Sequence, residues 1–187
     1  DVEIINVHHN FGADSSNETY DAMYYKDYAD SLYNNQFVSF SGIPRYLVDR
    51  KNTGVHGGTS ILLDFLSYNL DFGFADIEIL TNYDSISREL TASANLEFAT
   101  NYENLNLALV ITEDSVHNTT DPGYMQFNAY FGGNNGPMAS SSVDFETYGN
   151  PVPAVLMHYK NVARKIIPSF SGSNSALPSA VKADSLY

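Results

Sequence analysis

Cysteine is absent from all 187 residues of the sequence. Disulfide bonds, thiolate nucleophiles and zinc sites built on cysteine are therefore excluded within this chain. Basic residues are also scarce, with 9 Lys and Arg against 22 Asp and Glu and a formal net charge of −13. Because a protein that binds a phosphate backbone needs a cationic surface, nucleic acid is not expected as a partner.

Long apolar runs are missing as well. No run approaches the roughly 20 residues that a membrane-spanning helix needs, so no transmembrane segment is expected in this chain. Hydrophobic residues still make up 43% of the sequence, which is enough for one large or two small globular cores. The chain starts at Asp1 without Met and runs directly into a strand-like segment, so we expect that an upstream segment has been removed.

Residues 1–73 show a pattern that alternates between strands and helices. A mostly buried strand is predicted at residues 2–8. Ser15 and Glu18 form a capping box, which predicts a helix from Ser15 to the asparagines at residues 34–35. A second helix is predicted to start at residue 59 or 60.

A proline turn lies between these two predicted helices. Gly42, Ile43 and Pro44 lead into the β-prone residues 45–49, because proline is tolerated at the first position of a strand. A further turn is expected at residues 52–54. The strand, helix, strand order is typical of a right-handed parallel crossover, so this half is expected to be an α/β domain.

The period of the sequence changes near residue 74. Apolar residues then alternate with polar ones over residues 77–79, 90–98 and 105–111, with turns expected at residues 82–84 and 101–104. Such alternation indicates antiparallel strands in one layer of a β-sandwich. Residues 155–170 are predicted to rejoin this sheet. The predicted fold class is thus α+β, with domains at residues 1–73 and 74–187.

Residues 124–131 carry the candidate binding surface. They are predicted to form a strand in which Tyr124, Phe127, Tyr130 and Phe131 lie beside a loop rich in Gly and Asn. Aromatic side chains of this kind suit a platform for a glycan or a protein ligand. The alternative is that alternate residues of this strand belong to the core.

Weak metal candidates occur after the strand that ends near residue 111. Glu113, Asp114 and Asp121 lie close together with His117, a grouping that sometimes holds Ca²⁺. The spacing matches no Asp-x-Asp-x-Asp-Gly loop, so a solvated acidic loop is the favoured interpretation and no metal or other cofactor is expected.

The adjacent histidines near the start of the chain make a poor chelate. His8 and His9 point to opposite faces of a strand, and Asp14 is not spaced to complete a site. A Gly-x-Ser-x-Gly nucleophile motif is also missing from the sequence. No catalytic constellation stands out, so the chain is not expected to be an enzyme.

Four segments together resemble a known family. Residues 2–10 (VEIINVHHN), 41–51 (SGIPRYLVDRK), 105–116 (LNLALVITEDSV) and 158–167 (HYKNVARKII) are similar to the outer membrane protein twenty-eight related family of Bacteroidetes-type bacteria. The most specific of these is SGIPRYLVDRK, in which Ile43 and Pro44 match a thioredoxin-type proline turn. The resemblance covers most of the chain.

This resemblance implies a thioredoxin-like domain followed by an immunoglobulin-like β-sandwich. It also implies export to the cell envelope, at the outer membrane surface of a Gram-negative bacterium, with a lipid anchor on an upstream cysteine. No enzymatic activity is implied, and adhesion or binding of an unknown protein or glycan is the expected role.

The chain departs from the family pattern at both ends. The first strand corresponds to the second strand of a thioredoxin fold, and the segment that often carries Cys-x-x-Cys is absent. We therefore expect truncation at both ends. The alternative function is that of a fragment of a thiol-disulfide oxidoreductase whose cysteine-containing segment is missing.

Overall fold

A computed structural model describes residues 4–8, 23–33, 45–48, 52–55, 63–64, 66–67, 73–128, 130–133 and 144–187. The secondary structure of these residues is mostly β, with a short helix and small antiparallel sheets of two strands each. The elements are α1 (Lys26–Tyr33), β1 (Arg45–Val48), β2 (Asn52–Val55), β3 (Ala75–Asp84), β4 (Glu89–Phe98), β5 (Tyr102–Glu103), β6 (Leu109–Glu113), β7 (Val162–Ile167) and β8 (Ala180–Val181). The sheets pair β1 with β2, β3 with β4, β5 with β8 and β6 with β7.

The antiparallel β character expected from the alternating sequence is confirmed. The described residues do not show a thioredoxin fold, and within them each sheet has two strands. The first predicted strand is reduced to one parallel bridge between Asn6 and Val162, and Ile4 and Ile5 are exposed. The prediction of a mostly buried strand at residues 2–8 is therefore wrong for residues 4–8, the part of this segment that the structure describes.

Two compact units account for the contacts of the chain. One comprises Asp1–Tyr33 and Leu109–Phe170, and the other comprises Asn34–Ala108 and Ser171–Tyr187. Each is described by itself below. The expected domain boundary between residues 73 and 74 stays a prediction.

Helix α1 in the first unit is shorter than the sequence predicts. Met23 forms a turn and the helix begins at Lys26, because the carbonyl oxygen of Tyr25 accepts from the backbone N–H groups of Tyr28 (3.2 Å) and Ala29 (2.9 Å). The prediction of one continuous helix that starts at Ser15 is therefore wrong. The capping box of Ser15 and Glu18 lies outside the described residues. Met23 and Tyr28 are buried, at 1% and 5% exposure.

In the same unit, β7 pairs with β6 in a two-stranded sheet, so residues 155–170 meet the strand at residues 109–113 but do not join β3 and β4 as predicted. The register of β6 and β7 shifts between Ile111 and Thr112, which leaves Arg164 as the extra residue of a β-bulge. The bulge places Ala163 and Ile166 on the same face of the strand, where they are 2% and 4% exposed. Val162 belongs to a core with Met23, Val116 and Tyr159.

Strands β1 and β2 in the second unit correct the predicted turn at residues 52–54. The strand at residues 45–48 is confirmed, but it pairs antiparallel with Asn52–Val55, so Asn52 lies opposite Val48. The expected parallel crossover is not seen among the described residues. The turn of Gly42, Ile43 and Pro44 lies outside them.

Strands β3 and β4 form a hairpin with ten facing pairs, from Ala75 opposite Phe98 to Asp84 opposite Glu89. The predicted turn at residues 82–84 is wrong by three positions. The turn occupies residues 85–88, because the Asp84 carboxylate accepts from the backbone N–H groups of Ile86 (2.8 Å) and Ser87 (3.3 Å).

The core of the second unit is built from β4 and the C-terminal segment. Leu96 and Phe98 are buried with Leu177 and Val181, each at 7% exposure or less. The expected turn at residues 101–104 is wrong, because its central residues form β5 and pair with β8. None of the described residues belongs to a helix that is long and apolar enough to cross a membrane.

Candidate functional site: the aromatic segment of residues 124–133

Residues 124–131 do not form the predicted strand. A 3₁₀ turn at Pro122–Tyr124 precedes them and another follows at Phe131–Gly133, and the described β pairing between them is one bridge from Gln126 to Val152. The first turn is set by Asp121, whose Oδ1 accepts from the N–H of Gly123 at 2.8 Å. The prediction of a strand is therefore wrong, because local turn chemistry outweighs the β propensity of the aromatic residues.

Three apolar side chains of this segment face solvent. Phe127 is 71% exposed, Phe131 48% and Met125 39%. We call these three residues the aromatic surface. The alternation in the sequence is partly retained. The three exposed residues have odd numbers, whereas Tyr124 and Tyr130, with even numbers, are half-buried.

Tyr124 belongs to the core of its unit rather than to the aromatic surface. Its ring packs against the buried cluster that contains Met23 and Val162. Its carbonyl oxygen accepts a hydrogen bond of 2.9 Å from the hydroxyl of Tyr159. The structure therefore separates the four candidate residues, with the two phenylalanines outside and Tyr124 partly inside.

Asn128 fixes the aromatic surface to the following loop. It is a buried polar residue, 5% exposed, and its side-chain nitrogen donates to three carbonyl oxygens. These belong to Phe145 (2.8 Å), Tyr148 (3.3 Å) and Gly149 (3.2 Å). Sequence reasoning missed this role, because an asparagine in a predicted strand gives no sign that it is buried.

Further hydrogen bonds complete this attachment. The side-chain oxygen of Asn128 accepts from the N–H of Tyr130 at 3.1 Å, and its backbone N–H donates to Oδ1 of Asn150 at 3.0 Å. The N–H of Gly132 donates to the carbonyl oxygen of Glu146 at 3.2 Å. Phe127 and Phe131 are thus presented to solvent by a backbone that is hydrogen-bonded on both sides of them.

The weak metal candidates serve local structure instead of converging on one point. Glu113 forms an ion pair of 2.6 Å with Nε of Arg164, the bulged residue of β7. Oδ1 of Asp114 accepts from the N–H of Asn161 at 2.8 Å, and Asp121 holds the 3₁₀ turn described above. In the described part of the chain, no group of three or more His, Cys, Asp or Glu side chains is placed to hold a metal ion.

The histidines make ring contacts. His117 stacks on His158 with ring centroids 4.0 Å apart, and Nδ1 of His117 lies 2.7 Å from the carbonyl oxygen of Met157. His8 meets the ring of Tyr159 edge-on at 5.2 Å. The other two residues of that candidate, His9 and Asp14, lie outside the described residues.

An open groove lies beside α1 in the same unit. Its volume is about 280 Å³, and it is lined in part by Tyr25, Ile166, Pro168 and Phe170. The hydroxyl of Tyr25 accepts from the N–H of Ile166 at 3.3 Å. Among the described residues of this lining, Asp27 supplies the charged side chain, so these residues bring no acid and base pair together.

Comparisons with known proteins add no relative. No family model matches the chain, and no curated protein or solved structure matches it either. The resemblance to the envelope protein family therefore stays a prediction that is supported by the sequence motifs alone.

Proposed function

We propose that the protein is a non-enzymatic binding module that contacts a partner protein through its aromatic surface. The observation that carries this proposal is the 71% exposure of Phe127 on a segment that Asn128 attaches to the neighbouring loop. A phenylalanine held in water by the backbone hydrogen bonds of its neighbours Gln126 and Asn128 contributes little to the fold. Burying it against a partner contributes roughly 1.5–3 kcal/mol.

The chemistry of the exposed side chains favours a protein over a glycan as the ligand. Phe127, Phe131 and Met125 present carbon and sulfur, whereas the tyrosines, which offer a polar tip, are half-buried. Aromatic residues and methionine are enriched at the centres of protein interfaces. A glycan would need polar partners beside the rings, and so it is the second candidate.

The finer fold and the cellular location belong to the same proposal. The motif around Ile43 and Pro44 supports a thioredoxin-like scaffold joined to an immunoglobulin-like sandwich, and the family resemblance supports export to the cell envelope with a lipid anchor. The oxidoreductase alternative depends on a cysteine-containing segment outside this sequence.

A library of displayed peptides tests the binding site directly. Peptides are selected on the wild-type protein, and their affinities are then compared for Phe127→Ser and for Leu186→Ser. Leu186 is a matched control because it is also 71% exposed but lies in the other unit. We expect Phe127→Ser to weaken binding at least tenfold, since truncating a central aromatic contact costs about 2 kcal/mol or more.

Two results would count against the proposal. Selected peptides that bind Phe127→Ser as tightly as the wild type would show that the site lies elsewhere. Binding to a glycan array that is lost in Tyr130→Ala, without any selected peptide that depends on Phe127, would favour the glycan candidate.

A further inference from the structure

The hairpin of β3 and β4, here called the arm (residues 75–98), has one apolar and one polar face. Its register places Tyr83 opposite Leu90 and Ile77 opposite Leu96. Ile79 lies between Ile77 and Tyr83 on the same face, because side chains two apart on a strand point the same way. The sequence alternation predicts this face but does not say whether anything covers it.

The apolar face is covered at its base only. Leu96 is buried in the core of its unit, whereas Ile77 is 51% exposed, Ile79 55%, Tyr83 61% and Leu90 48%. An isolated two-stranded hairpin is marginally stable in water, and contiguous exposed apolar residues mark an interaction site. Among the described residues, the outer part of the arm is therefore an apolar sheet face without a second layer.

The outer edge of β3 is open to a further strand. Leu96 exchanges both of its backbone hydrogen bonds with Tyr187, at 3.1 and 3.0 Å, so its groups point away from β3. Ile77 and Leu96 thus form a non-hydrogen-bonded pair, and by the alternation of an antiparallel ladder the N–H and C=O groups of Ile77, Ile79 and Thr81 point outward. Within the described residues, no strand pairs with this edge.

The opposite face of the arm carries Leu80 but is otherwise polar, and the charged side chains of its two strands are all acidic. Asp76 lies directly opposite Glu97, and Asp84 lies opposite Glu89. Like charges placed directly across a ladder are destabilising, and Glu78 on the same face adds another carboxylate. A second copy of this chain would bring the same carboxylates, whereas a cationic strand would relieve the repulsion.

We propose that the outer edge of β3 binds an extended, basic segment of another protein, in which apolar residues alternate with Lys or Arg. Addition of a strand to the edge pairs the outward N–H and C=O groups and extends the sheet. The apolar side chains of the segment continue the face formed by Ile77, Ile79 and Tyr83. Its cationic side chains meet Asp76 and Glu78 on the opposite face.

A synthetic peptide of alternating Val and Lys, as long as the ten residues of β3, is the probe. Fluorescence anisotropy measures its affinity for the full chain. A peptide of alternating Val and Glu tests the charge, and a peptide with all its Val residues followed by all its Lys residues tests the alternation at equal composition. We expect binding of the alternating Val-Lys peptide alone, weakened as salt is raised, because the charges are exposed.

Two variants of the arm test the geometry. Thr81→Pro removes an outward N–H but no bond to β4, since proline is tolerated on an edge strand, and it should weaken binding at least tenfold. The double variant Asp76→Lys with Glu78→Lys should transfer binding to the Val-Glu peptide. Phe127→Ser, at the site of the proposed function, should leave the affinity unchanged.

Four results would overturn this inference. They are equal binding of the Val-Glu peptide, equal binding of the non-alternating peptide, unchanged affinity in Thr81→Pro, and unchanged preference in the charge-reversed variant. The last of these decides the matter if Thr81→Pro fails to fold. A wild-type dimer in sedimentation that Thr81→Pro abolishes would assign the edge to a second copy instead.

Discussion

At the scale of single residues, Asp and Asn side chains recur as turn-forming groups. Asp84, Asn118, Asp121, Asn128 and Asp144 each accept a hydrogen bond from the N–H group two residues later. This is the Asx turn, a local arrangement that short polar side chains favour. It explains why Asp121, which the sequence offers as a weak metal candidate, is engaged with its own backbone.

The turn of the arm should respond to acid through Asp84. Hydrogen bonds from the backbone N–H of Ile86, then from the side chain and backbone of Ser87, hold the pKa of Asp84 below its ordinary value of 3.8. A lowered pKa means that this stabilisation is fully present above pH 3.8 and is lost as the pH falls through the lower folded-state value. The amide NMR signals of Ile86 and Ser87 should therefore titrate with a midpoint below 3.8.

Asp84→Asn is the control for this titration. Asparagine keeps the turn but carries no charge, so the same two amide signals should not titrate in that range. A wild-type midpoint at or above 3.8 would contradict the account.

Asn128→Ala should destabilise the protein by about 1–3 kcal/mol, because it removes the donor of three part-buried hydrogen bonds. Urea unfolding measures this change. Asn95→Ala, which removes one exposed hydrogen bond of 3.0 Å to Glu78, is the matched control and should cost at most about 0.5 kcal/mol. Equal losses in both variants would argue against the role given to Asn128.

At the scale of elements, periodicity predicts strands better than it predicts their partners. The alternation over residues 90–98 is realised in β4, and the alternating residues 155–170 include β7. The C-terminal segment shows no alternation, yet Leu177 and Val181 are buried because pairing with distant residues fixes them there. Such long-range pairing leaves no signal in the local sequence. The sequence therefore does not predict that Leu177 and Val181 are part of a core.

The candidate site shows the same limit. Alternation separates the residues of the aromatic segment into two sets, but it does not tell which set a core will cover. The structure leaves Phe127 outside and draws Tyr124 toward the core, because Tyr159 and Val162 approach from elsewhere in the chain. The family motifs predict a thioredoxin-like fold for residues 1–73. The proline turn that carries this prediction, at Gly42, Ile43 and Pro44, lies outside the described residues.

Gly172 provides a test of how the C-terminal segment is attached. Its φ of 74° is in the left-handed region, and an added Cβ would lie 2.9 Å from the carbonyl oxygen of Leu107. Both effects oppose a side chain, so Gly172→Ala should cost more than about 1 kcal/mol in thermal or urea unfolding.

Gly73→Ala is the matched substitution. Nothing lies within 4 Å of a Cβ added at Gly73, so this change should be close to neutral. If Gly172→Ala were equally neutral, the close approach of this segment to Leu107 would be wrong.

At the scale of the whole molecule, the net charge of −13 and the exposed apolar residues have opposite effects on self-association. Strong negative charge opposes self-association and so limits aggregation through exposed apolar side chains. Each unit carries such residues: the aromatic surface in one and the arm in the other. The two proposals together describe a protein that contacts partners through both of its units.

The most direct measurement is carbene footprinting of the wild-type protein, with and without a peptide selected on it, read out by mass spectrometry. The account predicts that labelling of Phe127 and Phe131 falls sharply when the peptide is bound, while Leu186 is labelled as before. Unchanged labelling of Phe127, with protection at another surface, would contradict the assignment of the binding site to the aromatic surface.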